Sequence, residues 1–371
     1  MNRSYIPALD ALRAVSALGI MTTHVAFQTG TPGLDRFDYF VAVFFALSGF
    51  LLWWRYPSLS TPWGRYARNR FGRIVPAYLA VVVISFVAFN SAGVKALLAN
   101  LFFVQLYVPG ALMTGLTHLW TMCVEVAFYI IFPFLREILG RVPRPWRIAI
   151  IITIALVSLF WAYLPLNLEA NSQIFPPAYC SWYAVGILLA ELHSAERVRS
   201  TRGTRIPWYV WPPIAIGALV AGTRLGPAGL THPTPTEFAI RVFFGAVFAL
   251  ALLYPVVDWQ PRVPSWLAFL GRISYSIFLW HLPVLTAVYA LTTITLFSGH
   301  FLLVWLLTFA FTIPVSYVSY EWTEKPFHIS VGARSRDAFC SRFQNQFSVT
   351  RGNIRGARGS AAKSEKVSND T

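Results

Sequence analysis

The sequence predicts an all-α, polytopic membrane protein with about ten transmembrane helices and both termini in the cytoplasm. Hydrophobic residues make up 56% of the chain and charged residues only 12%, whereas about 25% of the residues in a soluble domain are charged. Apolar runs recur, as at 74–89 and 301–318, and each approaches the roughly 20 residues that cross a bilayer core. Because these runs are continuous rather than alternating, a β-barrel is disfavoured.

The candidate spans follow one another along most of the chain. The first is a retained helix rather than a signal peptide, because Asp10 and Arg13 interrupt it and many spans follow. The seventh is short and flanked by proline, which leaves a count of eleven open. The predicted spans are 9–27, 37–54, 74–92, 118–136, 147–165, 177–193, 208–222, 238–256, 266–290 and 300–320.

The basic residues predict the orientation. Arginines concentrate in the second, fourth and sixth connections, and Lys and Arg in the tail, while the odd-numbered connections are nearly bare. By the positive-inside rule this places both termini in the cytoplasm. The net charge of +15 therefore reflects topology, and no nucleic-acid partner is expected. Residues 1–328 form the predicted transmembrane domain, and 329–371 a basic, disordered cytoplasmic tail able to contact anionic lipid.

Three ionisable side chains, Asp10, Arg13 and His24, interrupt the first span. At about 100° per residue, Arg13 and His24 lie close to three turns apart, and Asp10 falls within about 40° of the same line. Asp10 and Arg13 can also pair at i,i+3. Ionisable groups inside membranes line pathways or sites, so a polar stripe facing a tunnel is predicted. The alternative is that Asp10 and Arg13 are interfacial and His24 lies among the outer headgroups.

Other spans carry polar groups in similar positions. His118 and Glu125 are seven residues apart, about two turns, and Glu125 lies so deep that it needs a partner or water. His281, beside Trp280, is as readily a core histidine as a catalytic one. Ser48 precedes Gly49 in mid-span, where small residues favour close helix packing.

Two arginines, Arg70 and Arg73, stand at i,i+3 where the third span begins. Two guanidinium groups at a cytoplasmic helix start can bind phosphates through bidentate hydrogen bonds. The alternative is that both arginines only anchor the span on the positive side.

These motifs together resemble membrane-bound acyltransferase family 3, the bacterial integral-membrane O-acyltransferases. The similarity covers about 5–327 and rests on the following segments in order: LDALRAVSALGIMTTH, FFALSGFLL, the R-x-x-R of Arg70 and Arg73, HLWTMCVEVAFYIIFP, ISYSIFLWHLPV and EWTEKPF. One departure is that Val126 and Ala127 stand where the family often has a second acidic residue and Gln. We expect no C-terminal esterase-like domain of the kind that some members carry.

The resemblance implies an O-acyltransferase of the bacterial plasma membrane that uses cytoplasmic acyl-CoA, expected to be acetyl-CoA, as co-substrate. Its acceptor would be a hydroxyl of an envelope glycan, a glycolipid or a secondary metabolite. His24 would be the general base, with Glu125 orienting it and Arg13 assisting; Asp10 completes the expected catalytic set. Acyl-CoA would bind Arg70 and Arg73. Further polar positions with acceptor-binding or structural roles are Ser48, His118, Trp280, His281 and Glu324.

Two alternatives to this mechanism remain. A covalent route through Cys123 is disfavoured, because five residues on a helix turn it about 140° away from His118. A transporter without chemistry would also suit ten spans with interior charges, although no inverted repeat is visible. The three cysteines, Cys123, Cys180 and Cys340, have neither disulfide nor metal-ligand spacing, so no metal is expected.

Overall fold

A computed structural model describes residues 6–56, 62–89, 93–166, 168–199, 206–227 and 232–326. Within these ranges the regular structure is helical and contains no strand. The predicted tail, with Cys340, lies outside the described residues. The α-helices are α1 (Pro7–Thr29), α2 (Phe40–Arg55), α3 (Trp63–Phe89), α4 (Val94–Leu101), α5 (Trp120–Gly140), α6 (Arg144–Ser158), α7 (Cys180–Arg199), α8 (Trp211–Leu225), α9 (Pro235–Trp259), α10 (Ser265–Arg272), α11 (Ser274–Leu291) and α12 (Phe301–Ser319).

The apolar surface of the bundle identifies a multi-pass membrane protein. In the described part of the chain, five helical segments are long and apolar enough to cross a membrane: Asp35–Arg55, Trp63–Phe89, Pro235–Trp259, Ser274–Leu291 and Phe301–Glu324. Large apolar side chains such as Ile216, Leu302 and Phe311 face outwards, and a soluble protein rarely exposes so many. The count of ten spans and the location of the termini stay predictions.

The helix ends follow local sequence rules. Pro7 begins α1, where a missing N–H costs nothing, and Gly30 ends the helix in the left-handed conformation at φ 71°. Helix α9 begins with a capping box, in which the Thr234 side chain accepts from the Glu237 backbone and Glu237 reaches back to the Thr234 backbone. This arrangement satisfies N–H groups that a helix start otherwise leaves open.

Some boundaries differ from those predicted. The predicted span 266–290 is two helices, because Gly271 packs against the backbone of Asp10 and the Ser274 hydroxyl donates to the Gly271 carbonyl at 2.8 Å. Helix α4 was not predicted, and α6 ends at Ser158 rather than near 165. Helix α12 continues into a π-helical turn, Tyr320–Glu324.

Helix α2 lies in the middle of the bundle and packs most closely against α7. A side chain at Gly49 would collide with the Tyr183 carbonyl, and one at Gly186 with the Ala46 carbonyl. The two backbones can meet only because both residues are glycine. The predicted packing role of the Ser48-Gly49 pair is therefore confirmed for Gly49.

A buried carboxylate ties α2, α6 and α7 together. Glu191, 6% exposed, accepts from Trp53 Nε1 at 2.6 Å and from Arg147 Nη2 at 2.9 Å. Arg144 adds a longer contact at 3.5 Å. Arg144 and Arg147, which the sequence places among basic connection residues, thus also neutralise a buried charge.

Candidate active site

Two of the cavities formed by the described residues contain side chains that the sequence predicts to be functional. The first, named here the arginine cavity, encloses about 600 Å³ including its open mouth, and the second, the histidine cavity, about 1090 Å³. The arginine cavity is lined by Arg13, Ile20, Val41, Phe44, Phe45, Arg70, Arg73, Ile74, Thr121, Glu125, Tyr129, Tyr275 and Phe278. The histidine cavity is lined by Ile20, Thr23, His24, Asp38, Val41, Leu112, Thr117, His118, Trp120, Asn171, Gln173, Ile174, Tyr179, Trp182, His232, Pro233, Phe238 and Arg241.

The two cavities adjoin at Ile20 and Val41, which line both. Along α1, Arg13 lies in the first cavity and His24 in the second, about 16 Å apart at 1.5 Å per residue. The segment from His118 to Glu125 runs the opposite way, from the histidine cavity to the arginine cavity. Arg13 and Glu125 thus line one cavity and His24 and His118 the other, and the two cavities share Ile20 and Val41 in their walls.

The arginine cavity brings together three predicted guanidinium groups, those of Arg13, Arg70 and Arg73. Arg70 is held near two aromatic rings, with its Cζ 5.5 Å from the Tyr56 ring centre and 6.0 Å from that of Tyr129, a cation–π distance. The Nε atoms of Arg13 and Arg70 are buried and have no hydrogen-bond partner within the described ranges. These donors are available to an anionic ligand.

Glu125 belongs to this arginine cavity and not to the histidine site. Its Oε1 accepts from Ser48 Oγ at 2.8 Å and from the Tyr129 hydroxyl at 2.5 Å. These bonds engage Oε1 with partners other than His24, and the predicted role of Glu125 in orienting His24 stays a prediction. The predicted polar residue Ser48 has a definite function as a hydrogen-bond donor to this carboxylate.

Two other predicted carboxylates lie nearby but differ in surroundings. Glu324 is fully buried, accepts from Ser276 Oγ at 2.6 Å and is close enough to Arg73 and Arg13 to attract them electrostatically. Asp10 lies where α1 contacts α10 at Gly271, and its pairing with Arg13 stays a prediction.

Three predicted histidines form a cluster. The ring centres of His24 and His281 are 5.3 Å apart, those of His118 and His281 are 4.7 Å apart, and those of His24 and His118 are 6.2 Å apart. His281 Nδ1 lies 2.7 Å from the Phe278 carbonyl, which can only accept, so Nδ1 carries the proton. His118 Nε2 is fixed likewise by the Leu279 carbonyl at 3.2 Å. Neither of these two hydrogen bonds involves His24.

The cluster has no metal-site geometry: among the described residues, no group of three or more His, Cys, Asp or Glu side chains could hold a metal ion. Trp280, 9% exposed, has no acceptor for its Nε1 in the same part of the chain. Cys123 is 3% exposed and packs in the main apolar core. That location favours a packing role over the covalent route.

The structure adds Asp38 and Arg241 to the site, which the sequence analysis did not single out. Asp38 lines the histidine cavity and is close enough to His24 to interact electrostatically. It stands in a short 3-10 turn, Asp35–Tyr39, at the predicted start of the second span, where an acidic residue is ordinarily interfacial. The sequence feature that could have identified Asp38 is the position of this acidic residue within the apolar segment.

Comparison with known proteins identifies the family. A family model described as an acyltransferase domain matches residues 6–321. The chain is 24% identical to the peptidoglycan O-acetyltransferase OatA of Listeria monocytogenes over 363 residues, covering 88% of this chain and 56% of that protein. It is 25% identical to nodulation protein 10 of Rhizobium leguminosarum bv. viciae, covering 85% and 92%, and 23% identical to the O-acetyltransferase OatA of Staphylococcus aureus, covering 93% and 60%.

The chain thus spans little more than half the length of the two OatA proteins. No solved structure matches it significantly. The family match extends over nearly all of the described helices and includes both cavities. The chain belongs to the acyltransferase family that its sequence motifs predicted.

Proposed function

We propose that this protein is an O-acetyltransferase of the bacterial plasma membrane, moving an acetyl group from cytoplasmic acetyl-CoA to a hydroxyl acceptor. The observation that carries the proposal is the pair of adjoining cavities, one with three arginines and the other with His24. Membership of an acyltransferase family favours this reaction over the transport function considered from the sequence.

The arginine cavity suits the donor. Coenzyme A carries several phosphate charges, and guanidinium groups bind phosphate through paired, charge-assisted hydrogen bonds. Three arginines face one lining carboxylate, Glu125, so the cavity keeps an excess of positive charge even with buried Glu324 nearby. The thioester end of the donor would then extend towards Ile20 and Val41.

The histidine cavity suits the acceptor and the proton transfer. His24 in its neutral form takes the proton of the acceptor hydroxyl, and the oxygen attacks the thioester carbonyl carbon. The new C–O bond forms as the C–S bond breaks. The thiolate of coenzyme A then takes up the proton that His24 holds.

The neighbouring histidines hold His24 in a defined environment. His281 and His118 have one ring nitrogen each engaged with a backbone carbonyl, so their rings cannot turn freely. Buried rings at these distances restrict the orientation of His24, which is what a general base needs in order to meet a hydroxyl with the right geometry.

The test is acetyl transfer by the full chain in membrane vesicles supplied with labelled acetyl-CoA, following both thiol release and label in the acceptor fraction. His24→Gln should lower the rate by about 10²- to 10⁴-fold, the usual contribution of a general base. His300→Gln, a change at an exposed histidine, is the matched control and should behave as wild type. Wild-type vesicles that release no more thiol than empty ones would overturn the proposal, and an active His24→Gln variant would remove His24 from it.

A further inference from the structure

An incompletely bonded carboxylate lies in the wall of the histidine cavity. Asp38 is 8% exposed, and its Oδ2 accepts from Arg241 Nη2 at 2.6 Å, with Arg36 Nη1 3.6 Å away. The other oxygen, Oδ1, is buried and has no hydrogen-bond partner in the described part of the chain. Buried polar atoms are nearly always bonded, so Oδ1 calls for a donor that the described residues do not supply.

A second open acceptor lies on the same cavity. Gln173 donates its Nε2 to the Pro233 carbonyl at 2.8 Å, while its Oε1 is buried and has no bonding partner among the described residues. Its backbone N–H donates to Asn171 Oδ1 at 3.1 Å, which fixes the local turn. Gln173 is therefore held with its amide oxygen unused rather than left to rotate.

The charges around these two atoms restrict the kind of ligand. A carboxylate oxygen and an amide oxygen only accept hydrogen bonds, so the ligand must bring donors, which an ionised phosphate or carboxylate group lacks. A cationic amine is disfavoured as well, because Arg241 and Arg36 outweigh the single charge of Asp38. Neutral hydroxyl groups meet both conditions.

The rest of the wall is aromatic. Trp120 and Trp182 flank Tyr179, with ring centres 5.1 Å and 4.7 Å from it, and all three line the cavity. The Trp182 indole N–H is already used, donating to the Val242 carbonyl at 2.8 Å. Its contribution to the cavity is thus apolar ring surface, which suits the C–H face of a cyclic polyol.

We propose that Asp38 Oδ1 and Gln173 Oε1 accept hydrogen bonds from two hydroxyl groups of a neutral, polyhydroxylated ring, such as a sugar, while a third hydroxyl faces His24. Asp38 and Gln173 are thus acceptor-binding residues that determine specificity. The inference deepens the proposed function, on which it rests for the claim that the bound molecule is the one acetylated.

Sugar binding is measured separately from acetyl transfer. The assay is saturation-transfer NMR on the purified full chain with the methyl glycosides of glucose, galactose, mannose and rhamnose. At least one should bind to wild type. Asp38→Asn should weaken its binding about 10-fold or more, since a hydrogen bond to a charged group is lost. Asp35→Asn makes the same change three residues away. Asp35 is not part of the wall of the histidine cavity, so this variant should bind as wild type does.

A second variant protects the test against misfolding of Asp38→Asn, whose ion pair with Arg241 is altered. Gln173→Met lies in a connection outside the long helices and should weaken glycoside binding with little change in thermal stability. Wild type that binds no glycoside, or binds protonated methyl glucosaminide more tightly than the neutral glycosides, would overturn the inference. Equal binding by wild type, Asp38→Asn and Gln173→Met would do so too. If glycosides bind as expected but the vesicle assay shows no acetyl transfer, the proposed function is overturned. The inference that Asp38 and Gln173 bind a sugar would then still stand.

Discussion

The arginines of α3 allow a direct test of donor binding, because the same helix carries a matched control. Arg70 and Arg73 line the arginine cavity, whereas Arg68 on the same helix is exposed. Changing each in turn to Lys preserves the positive charge and removes the planar guanidinium fork. If these side chains bind phosphate, the first two changes should weaken donor binding and the third should not.

The size of the effect follows from the contacts. A lysine replaces two paired charge-assisted hydrogen bonds by one, at about 1.5–3 kcal/mol for the lost bond, which is about 10- to 150-fold in Kd. Arg70→Lys also gives up the contacts of the guanidinium with the Tyr56 and Tyr129 rings. Alanine at either position removes both hydrogen bonds and should weaken binding further.

Calorimetric titration of the purified variants with acetyl-CoA measures this Kd without an acceptor. Arg70→Lys and Arg73→Lys should bind more weakly than wild type, and Arg68→Lys as tightly as wild type. The donor-site reasoning is refuted if all three lysine variants keep the wild-type Kd, which is the result that simple positive-side anchoring predicts. It is refuted equally if Arg68→Lys loses as much affinity as Arg73→Lys.

Three further outcomes are expected. Glu125→Gln should leave the pH at half-maximal transfer rate unchanged, because its carboxylate bonds two hydroxyl groups rather than His24; a displaced pH profile would support its role as orienting residue. Glu191→Gln should lower the thermal midpoint, since it leaves the partly buried Arg147 without its counter-ion, at a cost of up to about 3–5 kcal/mol. Glu137→Gln, in a more exposed pair, should cost about 1 kcal/mol or less, and equal midpoints for the two variants would contradict this. Ile20→Trp should block transfer while acetyl-CoA still binds, measured by the same calorimetry; undiminished transfer would show that the acetyl group does not pass this point.

Helical periodicity predicts which residues share one face of a helix, but not which residues of other helices they contact. Eleven residues separate Arg13 from His24, and these two side chains line two cavities that share Ile20 and Val41. The same reasoning put Glu125 on a stripe with His118, but His118 stands in a 3-10 turn, Thr117–Leu119, before α5 and lines the other cavity. It could not say that Ser48 and Tyr129 occupy the Glu125 carboxylate, because those contacts depend on how α2 and α5 pack.

Residues outside long helices were the hardest to foresee. Asp38 stands in a 3-10 turn and Gln173 in the connection before α7, where no period relates side chains to a common face. Their importance comes from contacts with α9 and with the chain near Pro233, far away in sequence. The break between α10 and α11 was missed likewise, since its cause is a contact between Gly271 and Asp10.

The two cavities share Ile20 and Val41 in their walls, and under the proposed function these side chains also bear on what can cross the bilayer. If the two cavities open to opposite sides of the membrane, as the proposed function requires, Ile20 and Val41 form a short apolar collar between two aqueous spaces. An apolar constriction of this kind excludes water and hydrated ions. Placing an unpaired charge there would cost several kcal/mol. In the proposed reaction an uncharged acetyl group would pass this collar, while the phosphates of coenzyme A would stay on the donor side. The same two side chains would thus insulate the membrane electrically during every turnover.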